Sequence, residues 1–403
     1  MKLTRSKKRA AGALAIAAAL AAIVAPVTAS GSTDTTEPAT TEPATTEPAT
    51  TEPATTDVGA EGCGPEAVTD QADRSAERPI AHCEPGYPEP QPLAEPTTIR
   101  LTAATQGEYL APVLLGNAFG EFEKENLTVE ILQMPFADGM AQLGAEQADA
   151  ANGGPFASFM NGVGSGLELR YVLANYSAFA GGDVTTPQSG LWVRRDAFSD
   201  PENPDLAELA GQHIANSLGS GTVAVYWMGA ALEEAGISLA DVTFDAIAPA
   251  DQFQALEGGA VVGAYMLDPF WTQVAEYPDE YVLVAVQPGE PNGGIFFGPT
   301  LLEDNPEAGH AFVRAYIRTI NTYLQPGYHD DEDVIAALAE AIPVDPAQLL
   351  AGNELRFEWE IREGLMEELQ RWFIELDSQT VDVIPEDQLV DRSFYLEAVG
   401  AEG

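Results

Sequence analysis

The chain is short of positive charge. Against 63 Asp and Glu it sets 18 Lys and Arg in 403 residues, a net charge of −45. That shortage excludes a basic nucleic-acid footprint, which needs clustered Lys and Arg. Lysine is rarer still: Lys2, Lys7, Lys8 and Lys124 complete the set. Lys124 stands between Glu123 and Glu125, a poor setting for a buried Schiff-base amine. Two cysteines cannot build a disulfide-dense scaffold. Four histidines, His82, His213, His310 and His329, show no metal-ligand spacing. No G-x-S-x-G elbow occurs. Only one stretch is long and apolar enough to approach a membrane span, which excludes a polytopic membrane protein. Hydrophobic residues still make up 45% of the chain, so a wholly disordered polymer is excluded as well.

That one apolar run covers 10–24 and follows Lys2, Arg5, Lys7, Lys8 and Arg9. Pro26-Val27-Thr28-Ala29 comes next, with small residues suited to signal peptidase. The pattern predicts a secretory signal peptide over 1–29, cut after Ala29. An uncleaved anchor helix is the alternative. No Cys stands at the cleavage site and no twin arginine precedes the run, so lipoprotein and twin-arginine export signals are not indicated. Residues 36–55 are four copies of Thr-Glu-Pro-Ala-Thr. Proline at every fifth position and no large apolar side chain predict an extended tether over 30–62. Cys63 and Cys83 follow, twenty positions apart. In an exported protein they read as a disulfide that closes a leader over 63–97. A metal site is the alternative, with His82 as the nearest further ligand. The leader reads as a spacer between cell envelope and folded body.

From Thr98 the texture changes. Strand patterns at 99–103, 127–132, 148–152 and 167–174 alternate with helix patterns at 110–122, 138–146 and 156–163. The alternation restarts with strands at 190–193, 213–216, 242–247, 261–265 and 281–286. Helices at 221–234, at 251–256 and from 269 onward separate them. Three longer helix patterns, at 306–324, 331–342 and 361–376, close the chain. Strands alternating with helices predict an α/β fold with largely parallel sheets. About 300 residues exceed what one hydrophobic core usually spans, so two lobes are expected.

Several blocks carry a resemblance. Gly120-Glu121-Phe122-Glu123-Lys124-Glu125-Asn126-Leu127 is close to "GLFEKEGL", and 206–216 followed by Gly221-Thr222 is close to "DLKGKKVAV…GS". Leu232-Glu233-Glu234-Ala235-Gly236 is similar to "LEKAGL", and Asp268-Pro269-Phe270 to "WDPF", with Leu267 in place of Trp. In their order and spacing these blocks resemble the solute-binding proteins of bacterial ABC importers. The group in question takes up nitrate, sulfonates, taurine and thiamine-pyrimidine precursors. The resemblance covers roughly 98–400. It implies a type II periplasmic-binding-protein fold: lobe 1 over 98–187, lobe 2 over 188–290, and a return to lobe 1 with C-terminal helices over 291–403. It further implies a monomer, exported to the periplasm or cell surface, that binds a small molecule, meets an ABC permease and needs no cofactor.

In open α/β sheets ligands sit beyond the carboxyl ends of strands. That rule selects four loops. The first offers Gln106, Gly107 and Tyr109. The second is Asn152-Gly153-Gly154-Pro155, ahead of Phe156, where Gly and Pro suit a helix start and leave N–H groups free. The third offers Ser217, Ser220, Gly221 and Thr222, with Ser220 and Thr222 as candidate helix caps. The fourth is Asp268, Phe270 and Trp271, a carboxylate that either meets a ligand amine or caps a helix, beside two aromatics. Arg170, Arg194, Arg195 and His213 are the nearest cations. Arg170 begins a strand at the wrong end, Arg194 and Arg195 invite pairing with Asp196, and His213 reads as a packed strand residue. A polyanionic ligand is therefore disfavoured, and a neutral, zwitterionic or singly anionic one fits. Gly219-x-Gly221-x-x-Ala224 also matches a loose dinucleotide fingerprint, but in mid-chain of an exported protein. A surface sensor on the same fold and a secreted hydrolase are the competing readings.

Overall fold

The computed structural model describes residues 62–401, apart from 76, 105–106, 178–183, 269, 287–288, 292 and 343. The signal-peptide and repeat segments thus lie outside the described residues. So does Gln106. Within this body, strand and helix alternate much as the pattern predicts. The first half runs β1 (Thr97–Ala103), α1 (Ala111–Ala118), β2 (Leu127–Gln133), α2 (Phe136–Gly144), β3 (Ala150–Gly153), α3 (Ala157–Gly164), β4 (Arg170–Ala174) and β5 (Tyr176–Ser177). The middle runs β6 (Gly190–Arg194), β7 (His213–Asn216), α4 (Val223–Glu234), β8 (Thr243–Asp245), α5 (Pro249–Glu257), β9 (Gly263–Met266), α6 (Thr272–Ala275) and β10 (Tyr281–Val286). The last part runs β11 (Gly294–Phe297), α7 (Pro306–Tyr323), α8 (Glu332–Ala341), α9 (Pro346–Leu349), β12 (Arg356–Phe357), α10 (Leu365–Glu375), α11 (Glu386–Leu389) and α12 (Ser393–Ala398).

Two five-stranded sheets define two lobes, in the orders β2-β1-β3-β11-β4 and β10-β6-β9-β7-β8. In each sheet one strand is reversed against the rest. β11 runs antiparallel to both β3 and β4, and β6 runs antiparallel to both β9 and β10. The reversed strand is in each case the first one formed after the chain crosses between sheets. The other strands of each sheet run one way, so their carboxyl ends gather at one edge. β12 pairs with β5 in a small third sheet, which brings the C-terminal part of the chain back to the first crossing.

Three departures from the sequence pattern have local causes. The helix expected over 110–122 stops at Ala118, because Gly120 takes a left-handed φ of 73° and ends it. β11 falls where the sequence pattern predicts no strand, and pairing with β3 and β4 makes it one. It threads between β3 and β4 so closely that a Cβ at Gly294 would stand 1.8 Å from the Leu173 carbonyl oxygen. The leader is no spacer. Residues of 62–96 pack on the body, with Ala81 and Cys83 buried in the main core. Cys63 and Cys83 are joined as a disulfide.

α7 is the spine of the first lobe. Asn305 caps it by accepting from the Ala308 N–H at 3.3 Å, and Pro306 starts it with a pre-set φ. It packs on α1 and α12, and from it Arg314 and Arg318 reach Glu121 and Glu125. No described helix is long and apolar enough to cross a membrane.

Candidate functional site

The four loops selected from the sequence follow the carboxyl ends of strands, β1 and β3 in one sheet and β7 and β9 in the other. Two of them meet across the lobes. The Ala157 N–H, opening α3, donates to the Gly221 carbonyl at 2.9 Å, just before α4. Ser378, beyond α10, joins them: its hydroxyl donates to the Ser220 carbonyl at 3.3 Å, and its carbonyl accepts from the Asn161 amide at 2.9 Å. The second and third loops are thus brought together, with the C-terminal segment as a third partner.

The third loop is shaped by Asn216. Its amide oxygen accepts from the Leu218 N–H at 3.1 Å and its nitrogen donates to the Gly219 carbonyl at 3.1 Å, a turn that needs Gly219 at φ 83°. The capping expected of Ser220 and Thr222 is not found. Thr222 holds the N-cap position of α4, but its hydroxyl donates to the Gly219 carbonyl at 2.9 Å instead of accepting from the helix. The turn competes for the hydroxyl and wins. α4 therefore opens with no side-chain cap, and its positive dipole end is left for another acceptor.

Three side chains on these strand ends carry polar atoms that are buried and unpaired. Asn152, 2% exposed at the end of β3, has neither its amide nitrogen nor its oxygen bonded. The Ser217 hydroxyl, one residue past β7, and the Tyr265 hydroxyl, in β9, are likewise unpaired. Tyr265 is the register partner of Asn216, which places it next to Ser217, and its ring lies 5.1 Å from that of Trp227. Burial pushes the Tyr265 phenol well above its ordinary pKa, with Tyr176 and Asp268 adding to it, so the group stays a neutral donor. With its amide oriented to satisfy both neighbours, the fully buried Gln252 of α5 donates to the Tyr265 carbonyl at 3.1 Å and accepts from the Ser217 N–H at 3.3 Å.

The fourth loop differs from expectation. Asp268 caps no helix, since α6 starts only at Thr272 without a side-chain cap. Its carboxylate accepts from the Ser189 hydroxyl at 2.5 Å and from the Trp271 indole N–H. Burial outweighs those two donors and holds its pKa above the ordinary carboxylate value. Trp271 belongs to the second lobe's core and Phe270 packs against it. Gly153 and Gly154 leave room for aromatics: a Cβ would stand 2.2 Å from the Phe136 ring and 2.2 Å from the Phe156 ring, respectively. Pro155 is buried ahead of Phe156. His213 is exposed, not packed, and bonds Asp245 at 2.8 Å. Arg194 pairs with Asp196 at 2.7 Å as expected of a surface cation.

At the first loop, Gly107 starts the short turn Glu108–Leu110, and the Tyr109 carbonyl accepts from the buried Asn175 amide. Glu108 accepts from the Tyr328 hydroxyl at 2.5 Å and pairs with His329 Nε2 at 2.6 Å. Burial of the His329 ring opposes its protonation, but Glu108, helped by Glu354 and Asp330, prevails and raises its pKa. A histidine with a raised folded pKa stabilises fully below its unfolded value of about 6.5, and that contribution fades as pH climbs through the folded value. The deficit of H329Q against the parent chain should thus be larger at pH 5.5 than at pH 8.5 in urea unfolding. A deficit that stays level or grows with pH would show that the pair carries no such linkage.

Tyr265, Gln252, Trp227 and Glu108 are absent from the sequence-based set. Tyr265 alone left a trace, as the one polar-tipped side chain in the short strand Gly263–Met266.

Two α/β lobes, each with a single reversed strand, make up a two-lobed periplasmic-binding-protein fold. Solved structures bear this out. The alkanesulfonate-binding protein SsuA of Xanthomonas axonopodis pv. citri, bound to MOPS, matches with a TM-score of 0.51 and 16% identity over 73% of this chain and 96% of its own. The aliphatic sulphonate-binding SsuA of Escherichia coli matches with a TM-score of 0.53 and 15% identity over 75% of this chain and 99% of its own. The nitrate-binding NrtA of Synechocystis PCC 6803 matches with a TM-score of 0.50 and 16% identity over 75% and 88%. At these identities the likeness is one of fold. No family model matches the sequence, and no curated protein matches it.

Proposed function

We propose that this protein is an extracytoplasmic solute-binding protein that hands a small organic or singly anionic nutrient to an ABC permease. The ligand class is that of sulfonates, taurine, nitrate or pyrimidine precursors. The observation that carries the reading is the set of unpaired buried atoms on Asn152, Ser217 and Tyr265, beside an uncapped helix start. Buried polar atoms are rarely left without partners, and a ligand seated at the strand ends would satisfy these. Other unpaired atoms occur: those of Arg74, Arg78, Arg362 and Gln379 belong to side chains already bonded elsewhere, and those of His310, Trp359, Trp372 and Tyr395 lie outside the four candidate loops. Residues 1–29 would direct export and 30–62 would tether the body, with lobe 1 in 98–187 and 291–403 and lobe 2 in 188–290. Closure of the lobes would present the loaded form to the permease.

Thermal unfolding of the chain from residue 30 tests this against taurine, alkylsulfonates, nitrate, pyrimidines and amino acids. A ligand at a hundred times its Kd adds about 2.7 kcal/mol of stability. Asn152→Leu sharpens the test. It removes an amide whose unmet hydrogen bonds cost about 1–3 kcal/mol, so the ligand-free midpoint should hold or rise. The ligand-induced shift should vanish in the same variant. A shift that survives Asn152→Leu would remove Asn152 from the site, and a compound consumed instead of bound would replace the binding reading with an enzymatic one.

A further inference from the structure

The leader lies before the stretch that resembles other binding proteins, yet it reaches the helix that opens onto the candidate site. Arg74 is the point of contact. Its Nη2 donates to the Tyr226 hydroxyl at 2.9 Å, to Glu290 Oε2 at 3.0 Å and to Glu368 Oε2 at 2.7 Å. These three partners belong to three different parts of the molecule. Tyr226 lies in the first turn of α4, Glu290 in the second crossing between the sheets, between β10 and β11, and Glu368 in α10. Tyr226 also donates to Glu290 Oε1 at 3.1 Å, so the three side chains close a ring of hydrogen bonds.

The leader around Arg74 is itself held fast. Arg78, 3% exposed, donates to the Gly289 carbonyl in that crossing and to the buried Glu358. Arg362 donates to the Thr69 hydroxyl at 3.0 Å and to the Asp70 carbonyl at 3.1 Å. The Glu363 N–H donates to the Gln71 carbonyl at 3.0 Å. Farther along, the Cys83 N–H donates to Asn321 of α7 at 3.1 Å. One side of the leader is thus fixed to the first lobe and the C-terminal segment, and Arg74 extends from it to a helix of the second lobe.

We propose that Arg74 is a positioning residue: through Tyr226 it clamps the first turn of α4 to the second crossing and to α10, and so sets the helix start that faces the strand ends. The electrostatics support the clamp. Glu290 is buried beside Glu368, a like charge, and Arg74 is the cation that both share. Without it the two carboxylates repel each other across the crossing and Tyr226 keeps a single partner. Tyr226 stands within the first turn, three residues and about 4.5 Å of rise past Val223, so a shift at its ring moves those N–H groups directly.

Hydrogen exchange of the full chain, read by mass spectrometry without any ligand, tests the clamp. Charge-assisted hydrogen bonds contribute about 1.5–3 kcal/mol, so Arg74→Ala should speed exchange over 217–228 by about tenfold or more. Peptides from α7 should change less than about twofold, since a local clamp leaves the global stability of that helix largely alone. Arg74→Lys, which keeps the charge, should recover part of the protection. Tyr226→Phe cuts only the link to α4 and leaves Arg74 with its two acids, so it should raise exchange over 217–228 alone. Unchanged exchange there in both Arg74→Ala and Tyr226→Phe would overturn the proposal, as would an equal rise in α7, which marks general destabilisation. Because no ligand enters the measurement, this result stands apart from the fate of the solute-binding reading.

Discussion

Replacing Arg318 by Met should destabilise the protein by about 3 kcal/mol or more, in the range seen when one member of a buried ion pair is removed. The side chain is 1% exposed and fully engaged. Its Nε donates to Glu121 Oε2 at 2.8 Å, Nη1 to Glu125 Oε1 at 2.9 Å and to the Pro88 carbonyl at 2.8 Å, and Nη2 to the Glu121 carbonyl at 2.9 Å. Both acids are buried and would stay so in the variant. Two effects limit the loss. Lys124 and the Tyr323 hydroxyl still reach Glu121, and Arg314 still reaches Glu125, which favours the lower end of the range. Met retains much of the apolar stem, so little packing is forfeited. The pH dependence separates the charge effect from packing. Burial raises the Glu121 pKa, but Lys124, Arg318 and Tyr323 bring it below its ordinary value. A depressed carboxylate stabilises above its unfolded pKa, about 4.3, and loses that contribution as pH falls through the folded value. The gap between R318M and the parent chain should therefore narrow from pH 7 toward pH 4 in urea titrations. A gap below about 1 kcal/mol at pH 7 would mean that these pairs only offset their own desolvation. Glu121→Gln combined with R318M should recover part of the loss, because a neutral partner no longer leaves a charge stranded.

The alternation that exposes the two lobes in the sequence comes from strands buried on both faces, whose apolar runs stand out between polar turns. β4, β6 and β7 are legible for that reason, whereas the edge strand β2 is legible by its alternation, with Leu127 and Val129 buried and Thr128 and Glu130 exposed. β5 and β12 are not, because two residues show no period, and tertiary pairing makes them and β11 strands. The candidate loops were found by topology, as the segments after strands, and that reasoning reaches Asn152 and Ser217. It misses Tyr265 because a tyrosine within a strand reads as core until its unpaired hydroxyl is seen. The leader departs furthest from what its sequence predicts. Its contacts rest on arginines meeting acids far along the chain: Arg74 with Glu368, Arg78 with Glu358. Among 63 acidic residues, no local pattern marks which few are buried opposite an arginine. Thr222 departs from its expected capping role for a related reason, since a hydroxyl that suits a helix N-cap suits a preceding turn equally well.

Replacing both Cys63 and Cys83 by Ser should cost about 3 kcal/mol. The bond spans a sequence separation of 20, and closing a loop of that size removes a corresponding amount of chain entropy from the unfolded state. The leader adds a native-state reason for the cost. Cys83 is 2% exposed within the main core, and the Glu84 N–H donates to the Gly62 carbonyl at 3.0 Å, so both ends of the loop are seated. Reducing the parent chain should lower its midpoint to that of the double Ser variant, while the variant itself should not respond to reductant. A parent chain indifferent to reductant would show that body contacts alone hold the leader. The two losses should also overlap. Pro88, five residues past Cys83, is where Arg318 grips the leader, so each change weakens what the other relies on. Combining R318M with the two Ser substitutions should therefore cost less than the sum of the parts, by about 0.5 kcal/mol or more, as expected of residues that share partners. Strict additivity would place the staple and the Arg318 contact in independent units.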